Sequence, residues 1–458
     1  MTTDWREQMD SKNWIRLDNA SNIFLAAQNE IDTKVFRMTM EFTETIEPSL
    51  LQSALNNIYE EYPLFHNVLR RGVFWYYLEE SDINPRVQPE LEAPMTAIYE
   101  TGQKDFLFRV LYKENRVHLE VYHALTDGTG ALWFFEDLLT EYVRLRYEAH
   151  DKGVYSITKR EKADLEDSFK RYFLGKKEKR QFNRLVDPFI KFYKNQTAPK
   201  KVVLYPFDQA TNKKVYQIKG KLTPDNRPRI VNVQFDVKDT LQLAREMKVS
   251  LTIYLTAVYV LSVYQTSQSQ KDQTTISVSI PINLRQFFPS ATVRNFFSTT
   301  TVDYTFKKDK EPDLYDICQR LNGQFKKQME KEAIEERLNQ YVEFERNPLA
   351  RVILRPIKDF VLKIINKMNN LKITVAMSNL GSLNLPDQMS KHVKDFYFTT
   401  SVIRPQFCMI SYKDKLNVTF CSPFVETETY QYFINYLTKQ GLKASVDVNR
   451  VTKEELGE

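Results

Sequence analysis

Between Lys34 and Thr43 the chain alternates, with Val35, Arg37, Thr39 and Glu41 on one side and Phe36, Met38, Met40 and Phe42 on the other. A period of two with one largely apolar side predicts a strand half buried against a core. The period then lengthens. Leu51, Ala54, Leu55 and Ile58 recur at helical spacing through EPSLLQSALNNIYEEYP. Pro63 ends that helix, because proline lacks a backbone N–H and crowds the turn before it. Two strands follow near 105–112 (DFLFRVLY) and 116–122 (RVHLEVY), joined by the turn KEN. In TGALWFFEDLLTEYVRLRY, Leu132, Phe135, Leu138, Leu139 and Tyr142 define the apolar face of a helix.

The stretch from about 150 to 225 breaks the pattern, being rich in charge and punctuated by Pro188, Pro199, Pro206 and Pro224. It reads as an interdomain crossover. Beyond it, IVNVQF (230–235) predicts a strand and DTLQLAREMKV a helix. SLTIYLTAVYVLSVYQ predicts a more apolar helix with Ser250 as its N-cap. TTISVSIPI sets Ile276, Val278, Ile280 and Ile282 on one face of a strand. A long helical region is expected over about 312–345, then a strand at KITVAMSNL and further strands between Phe396 and Phe420. Both halves share a strand–helix–strand rhythm without an internal repeat. The expected class is α/β, with two lobes sharing a cleft: an N-terminal lobe over 1–200, including the connector from about 150, and a C-terminal lobe over 225–458.

Composition narrows the setting. The 458 residues are 42% hydrophobic and 27% charged, a soluble balance, and no window approaches the ~20 apolar residues of a membrane span. MTTDWREQMDSKNW has no apolar core of a secretory signal. Cys318, Cys408 and Cys421 form neither a CxxC pair nor a disulfide framework, and they read as reduced thiols. The cytoplasm is the expected compartment. The net charge is +6, yet Lys152–Gly220 alone carries 18 Lys/Arg against 7 Asp/Glu. A run such as KRYFLGKKEKRQFNR (170–184) reads first as a solvated helical face. It also suits an acidic carrier protein, a phosphate-rich cofactor or an anionic membrane. It has neither zinc-ligand spacing nor an RNA-binding aromatic signature, so nucleic acid is not expected as a partner.

Only 11 glycines occur in the chain, and two of them follow a histidine closely, in Tyr122-His123-Ala124-Leu125-Thr126-Asp127-Gly128-Thr129-Gly130. The pattern places an imidazole at a strand's end, on a turn that Gly128 keeps tight where a Cβ would obstruct it. A neutral imidazole there can take a proton from an alcohol or amine attacking a thioester, with no serine or cysteine nucleophile required. No Gly-x-Ser-x-Gly elbow is present. His66, His118, His150 and His392 lack such company and read as structural residues.

His123-x-x-x-Asp127-Gly128 resembles the HxxxDG signature of the chloramphenicol acetyltransferase superfamily, which includes condensation domains, plant BAHD acyltransferases and alcohol O-acetyltransferases. Three further segments look like those of bacterial alcohol acetyltransferase-like proteins. They are Trp14–Ala20, Ile280–Arg285 with Phe288-Pro289-Ser290 and Arg294–Phe297, and Ser378–Leu383 running to Pro386. Tyr122 stands where peptide-forming condensation domains have the first His of HHxxxDG, and the Asp-Phe-Gly-Trp-Gly of plant enzymes is missing. The alcohol acetyltransferase-like branch is therefore favoured.

The resemblance implies two chloramphenicol-acetyltransferase-like lobes, each a mixed β-sheet with flanking helices, and an active-site tunnel between them. It implies His123 as general base, and acyl-CoA as co-substrate with no bound cofactor or metal. It implies that Asp127 points away from the reacting atoms and pairs with an arginine, for which Arg285 is best placed. Asn379 and Ser382, beside the cleft in such proteins, are candidate donors to the tetrahedral oxyanion. The expected activity is transfer of an acyl group, acetyl in the first instance, from CoA to a small alcohol. The alternatives are condensation from a carrier-protein thioester docked on the basic connector, and a non-catalytic binding module on the same scaffold.

Overall fold

A computed structural model describes residues 14–73, 75–100, 102–148, 165, 167–174, 213–267, 273–346 and 355–457. Most of the connector, His150 and the charge run beyond Leu174 lie outside the described residues.

Three sheets organise the described residues. The strands β1 (Trp14–Arg16), β3 (Asn67–Arg71) and β4 (Tyr76–Glu80) form a small antiparallel sheet in the order β1-β4-β3. The N-terminal lobe is built on five strands in the order β12-β2-β7-β6-β5, where β2 is Val35–Phe42, β5 Val87–Pro89, β6 Phe108–Lys113, β7 Arg116–Tyr122 and β12 Val393–Thr400. The C-terminal lobe carries seven in the order β10-β9-β11-β13-β14-β8-β15. These are β8 (Arg229–Asp236), β9 (Gln273–Asn283), β10 (Phe297–Lys307), β11 (Val375–Leu383), β13 (Gln406–Tyr412), β14 (Lys415–Ser422) and β15 (Ser445–Val448). Both large sheets mix parallel and antiparallel pairs. One strand crosses the expected lobe boundary: β12, from the C-terminal half, pairs antiparallel with β2 along its length.

Each lobe has its own apolar core. Phe36, Phe65, Phe134 and Phe135 centre the first, where α2 (Pro48–Tyr59) and α3 (Gly128–Tyr147) pack together against the sheet. The second surrounds the helix Leu251–Gln265, capped by Ser250, whose Oγ accepts from the Ile253 amide. That helix is apolar all round because it is buried between three other helices and β9. Among the described residues no single helix is long and apolar enough to cross a membrane. The helical region expected over 312–345 is two helices, Leu314–Gln328 and Lys331–Arg346.

The expectation that β2 is half buried is corrected: all eight of its residues are buried. Its polar side meets a second set of charges rather than water. Arg37 pairs with Glu90 and lies 3.1 Å from Glu120, Thr39 bonds His118 Nδ1 at 2.9 Å, and Glu41 holds Arg116 at 2.8 Å and Lys394 at 2.5 Å. The alternation was genuine, but chain on the polar side closes it off. Glu120 is the centre of this layer, accepting also from the Met95 amide at 2.7 Å and from Arg109 at 2.5 and 2.6 Å. Glu120→Ala leaves two guanidinium groups without their shared anion in a dry setting. It is expected to cost about 3–5 kcal/mol, read as a lower midpoint in urea unfolding.

Candidate active site

β7 ends at Tyr122, and the His123 amide still donates to Lys34 O at 2.8 Å, extending the pairing by one residue. The Leu125 amide then returns to Tyr122 O at 2.9 Å, which closes the turn and projects the imidazole from the strand's end. Three rings surround it. Phe24, on α1 (Asn19–Ala27), stacks at 4.0 Å between centroids; Phe36 of β2 meets it edge-on at 5.1 Å; Phe297 of β10 lies at 5.7 Å. The imidazole therefore sits where both lobes meet.

Nδ1 is buried and makes no well-formed hydrogen bond. The residue as a whole is only partly buried. Burial pushes the imidazole pKa down to about 4; contact with its own backbone carbonyl and the Asp127 charge recover only part of the loss. The ring is thus neutral at ordinary pH.

The Asp127 carboxylate is taken up by the start of α3 and by the second lobe. Oδ1 caps α3, accepting from the Thr129 amide at 3.1 Å and the Gly130 amide at 3.0 Å. Oδ2 accepts from the Phe296 amide at 2.8 Å and from Arg285 Nη1 at 2.7 Å, with both side chains buried. Arg285 lies in the short turn after β9 and donates onward to Thr292 O and Arg294 O, each at 2.8 Å. Trp133 and Phe296 lie beside the guanidinium at 5.5 and 6.0 Å. Every charge is matched, so the pair holds α3, the His123 turn and the loop 292–296 as one unit.

That loop supplies a residue that sequence reasoning passed over. Asn295 Nδ2 donates to His123 O at 3.0 Å and to Ser21 Oγ at 3.1 Å, while Ser21 donates to Ala124 O at 2.8 Å. Asn295 Oδ1 is buried without a well-formed bond, as is His123 Nδ1, and the Asn295 side chain favours the protonated imidazole. Its neighbour Arg294 donates to Arg16 O at 2.7 Å and lies 3.8 Å from Asp18, the N-cap of α1. The signal was present in Arg294-Asn295-Phe296-Phe297, but nothing local showed that these side chains reach across to the other lobe.

One expectation is corrected. Gly128 is not the glycine on which the turn depends: a Cβ there meets only Leu380 Cδ2, at 2.9 Å, the far end of a flexible side chain. At Gly130 a Cβ would lie 2.4 Å from Val293 O and 2.3 Å from Thr126 Oγ1, so the close approach of the second-lobe loop requires this glycine. Asn379 and Ser382 lie on β11, on either side of a register shift. Both are exposed, Asn379 Nδ2 donates to Thr252 Oγ1 at 3.0 Å, and its Oδ1 accepts from the Gly381 amide at 2.7 Å. A register shift in β11 between Asn379 and Ser382 redirects this segment, and Leu380 is what it sets against the turn. The other described histidines have structural partners: His66 bonds Tyr59 O at 2.6 Å, His118 bonds Thr39, and His392 stacks on Tyr147 at 3.7 Å.

The two-lobed arrangement is the fold of acetyltransferases and condensation domains. The structure resembles a trichothecene 15-O-acetyltransferase from Fusarium sporotrichioides, at 11% identity over 93% of this chain and 94% of that one, with a TM-score of 0.58. Polyketide synthase associated protein 5 from Mycobacterium tuberculosis superposes at 14% identity over 92% and 96%, with a TM-score of 0.55. A variant of the starter condensation domain of rhizomide synthetase, in complex with C8-CoA, does so at 11% identity over 94% and 95%, with a TM-score of 0.56. These likenesses establish the fold. The sequence itself matches the alcohol acetyltransferase family model over residues 109–415, which includes the His123 turn, Arg285 and Asn295. The chain belongs to the alcohol acetyltransferase family and is an acyltransferase. No curated protein matches its sequence.

The two glycines give opposite expectations in a thermal melt. Gly130→Ala forces backbone apart at the lobe junction and is expected to lower stability by about 1–3 kcal/mol, as overpacking does, whereas Gly128→Ala stays within about 1 kcal/mol. Asp127→Ala strands Arg285 and uncaps α3, for a loss of about 3–5 kcal/mol measured by denaturant unfolding.

Proposed function

We propose that this protein transfers an acetyl group from a CoA thioester to the hydroxyl of a small alcohol, with His123 as general base in a ternary complex. The observation that carries the proposal is the imidazole at the lobe junction: neutral, ringed by Phe24, Phe36 and Phe297, only partly buried as a residue, and with Nδ1 buried, which assigns the role of base to Nε2. As the alcohol oxygen attacks the thioester carbonyl, Nε2 takes the hydroxyl proton. The resulting imidazolium returns that proton to the CoA sulfur as the tetrahedral intermediate collapses and the carbon–sulfur bond breaks. The products are an ester and free CoA, and the base is regenerated. No covalent acyl-enzyme is needed, because donor and acceptor react directly.

The family assignment supports acyl transfer, and the C8-CoA complex of a protein of the same fold supports a CoA donor. Burial costs the imidazole basicity, so proton transfer is driven by the developing charge on the attacking oxygen rather than by a strong resting base. The three buried thiols, none in a disulfide, suit the reducing cytoplasm as the site of action. The basic connector remains the place to look for a carrier protein, and free acetyl-CoA separates that donor from CoA itself.

The test is mass spectrometry of products from acetyl-CoA and a panel of alcohols, with CoA release followed alongside. His123→Ala is expected to fold with an unchanged melting temperature and to lose about 10²–10⁴-fold in rate. A variant as active as the wild type would remove His123 from the mechanism. Because only the neutral ring accepts a proton, kcat/KM should rise with pH through the low pKa and be flat across neutral pH. A profile still climbing between pH 6 and 8 would contradict the buried, neutral base.

A further inference from the structure

The helix Arg355–Asn370 is apolar on two faces, and only one of them meets the protein. Ile365 is buried where the helix packs against α1. Further round the helix Ile357, Phe360, Val361, Ile364, Met368 and, just past the helix end, Leu371 are all exposed, Phe360 by 64%. At 100° per residue these six fall within an arc of about 100°, a continuous stripe rather than scattered apolar residues. The surface continues past the helix. Val73, 67% exposed, accepts from the Arg355 amide through its carbonyl, so it adjoins the helix N-terminus. Trp14, 69% exposed, shares a face of β1 with Arg16. Arg16 and Lys358 both lie over the Trp75 ring, at 4.2 and 3.5 Å, which ties β1 to this helix.

Charge identifies what fits the stripe. The helix has four basic residues, Arg355, Lys358, Lys363 and Lys367, and one acid. That acid, Asp359, accepts from Tyr76 Oη at 2.9 Å and lies 3.9 Å from Arg355, so it faces the protein. Lys363 and Lys367 are exposed along one border of the stripe. Bulky apolar side chains edged by lysines, with the sole carboxylate turned inward, match an anionic bilayer surface. The side chains enter the acyl boundary while the ammonium groups reach lipid phosphates. A tryptophan at the margin suits the same interface. A second copy fits less well, because a two-fold pairing of this stripe sets lysine borders of like charge into one interface.

We infer that the Arg355–Asn370 helix, with Val73 and Trp14 at its margin, docks the protein onto an anionic lipid surface. The helix lies in the interface and does not cross it. Between it and the imidazole stands α1, which packs on the helix and carries Phe24. The inference concerns binding alone and does not depend on which acyl group is transferred.

The experiment is co-sedimentation of the full chain with vesicles of phosphatidylcholine, with and without phosphatidylglycerol. The wild type is expected to partition at least about tenfold more strongly onto the anionic vesicles, less so in high salt. Phe360→Glu/Ile364→Glu should reduce that partition by about tenfold or more. Lys363→Glu/Lys367→Glu should abolish the preference for phosphatidylglycerol. Both variants should keep the wild-type melting temperature and its activity on water-soluble substrates, since neither pair touches the site. Absence of vesicle binding by the wild type, or binding indifferent to these substitutions, overturns the inference. A wild-type dimer that Phe360→Glu/Ile364→Glu converts to monomer, without lipid binding, reassigns the stripe to self-association and also overturns it.

Discussion

The ion pair between Asp127 and Arg285 is the constraint on which the rest of the site depends. Separated by 158 residues, the two side chains are buried, with every polar direction used: two helix amides and one loop amide on the carboxylate, carbonyls of the same loop on the guanidinium. Such pairs seldom stabilise more than a well-packed apolar substitute, since desolvation offsets the attraction. What this one contributes is register. It holds the end of β7, the start of α3 and the loop before β10 in a single geometry, and the imidazole inherits its position from all three.

A second lesson concerns basicity and access. His118 and His123 both have pKa values pushed below the ordinary range by burial. His118 sits in the charged layer under β2, with Nδ1 bonded to Thr39 and Nε2 sealed from water. His123 is packed among aromatic rings but is only partly buried as a residue. A lowered pKa thus marks two residues and does not distinguish them. The distinction is topological: one ring lies within a lobe and the other between lobes.

Much of this was legible in the order of residues. Periodicities of two and of three to four placed β2, α2, β7, α3, β8 and the Leu251–Gln265 helix, because each buries one face or all of itself and shows it in side-chain type. His123, Asp127 and Arg285 stood out through glycine scarcity, strand-end position and the family resemblance. What could not be read was whatever depends on a distant partner. The polar side of β2 predicted solvent, yet Glu90 and Glu120 wait there. Gly130 looked subordinate to Gly128 until Val293 was seen against it. The register shift in β11 between Asn379 and Ser382 is likewise invisible in composition. Asn295 was missed because its partners belong to the other lobe.

The strand exchanged between lobes has a bearing on biogenesis. β12 closes the edge of the N-terminal sheet, and its Lys394 reaches Glu41 from 353 residues away. A ribosome delivers β2 long before β12 exists, so a nascent N-terminal lobe must wait with an apolar, unpaired backbone edge on display. Such edges recruit other chains, and contacts this remote close slowly. Shielding of that edge during synthesis, by a chaperone or by transient pairing within the chain, is thus built into the topology as a requirement of reaching the native state.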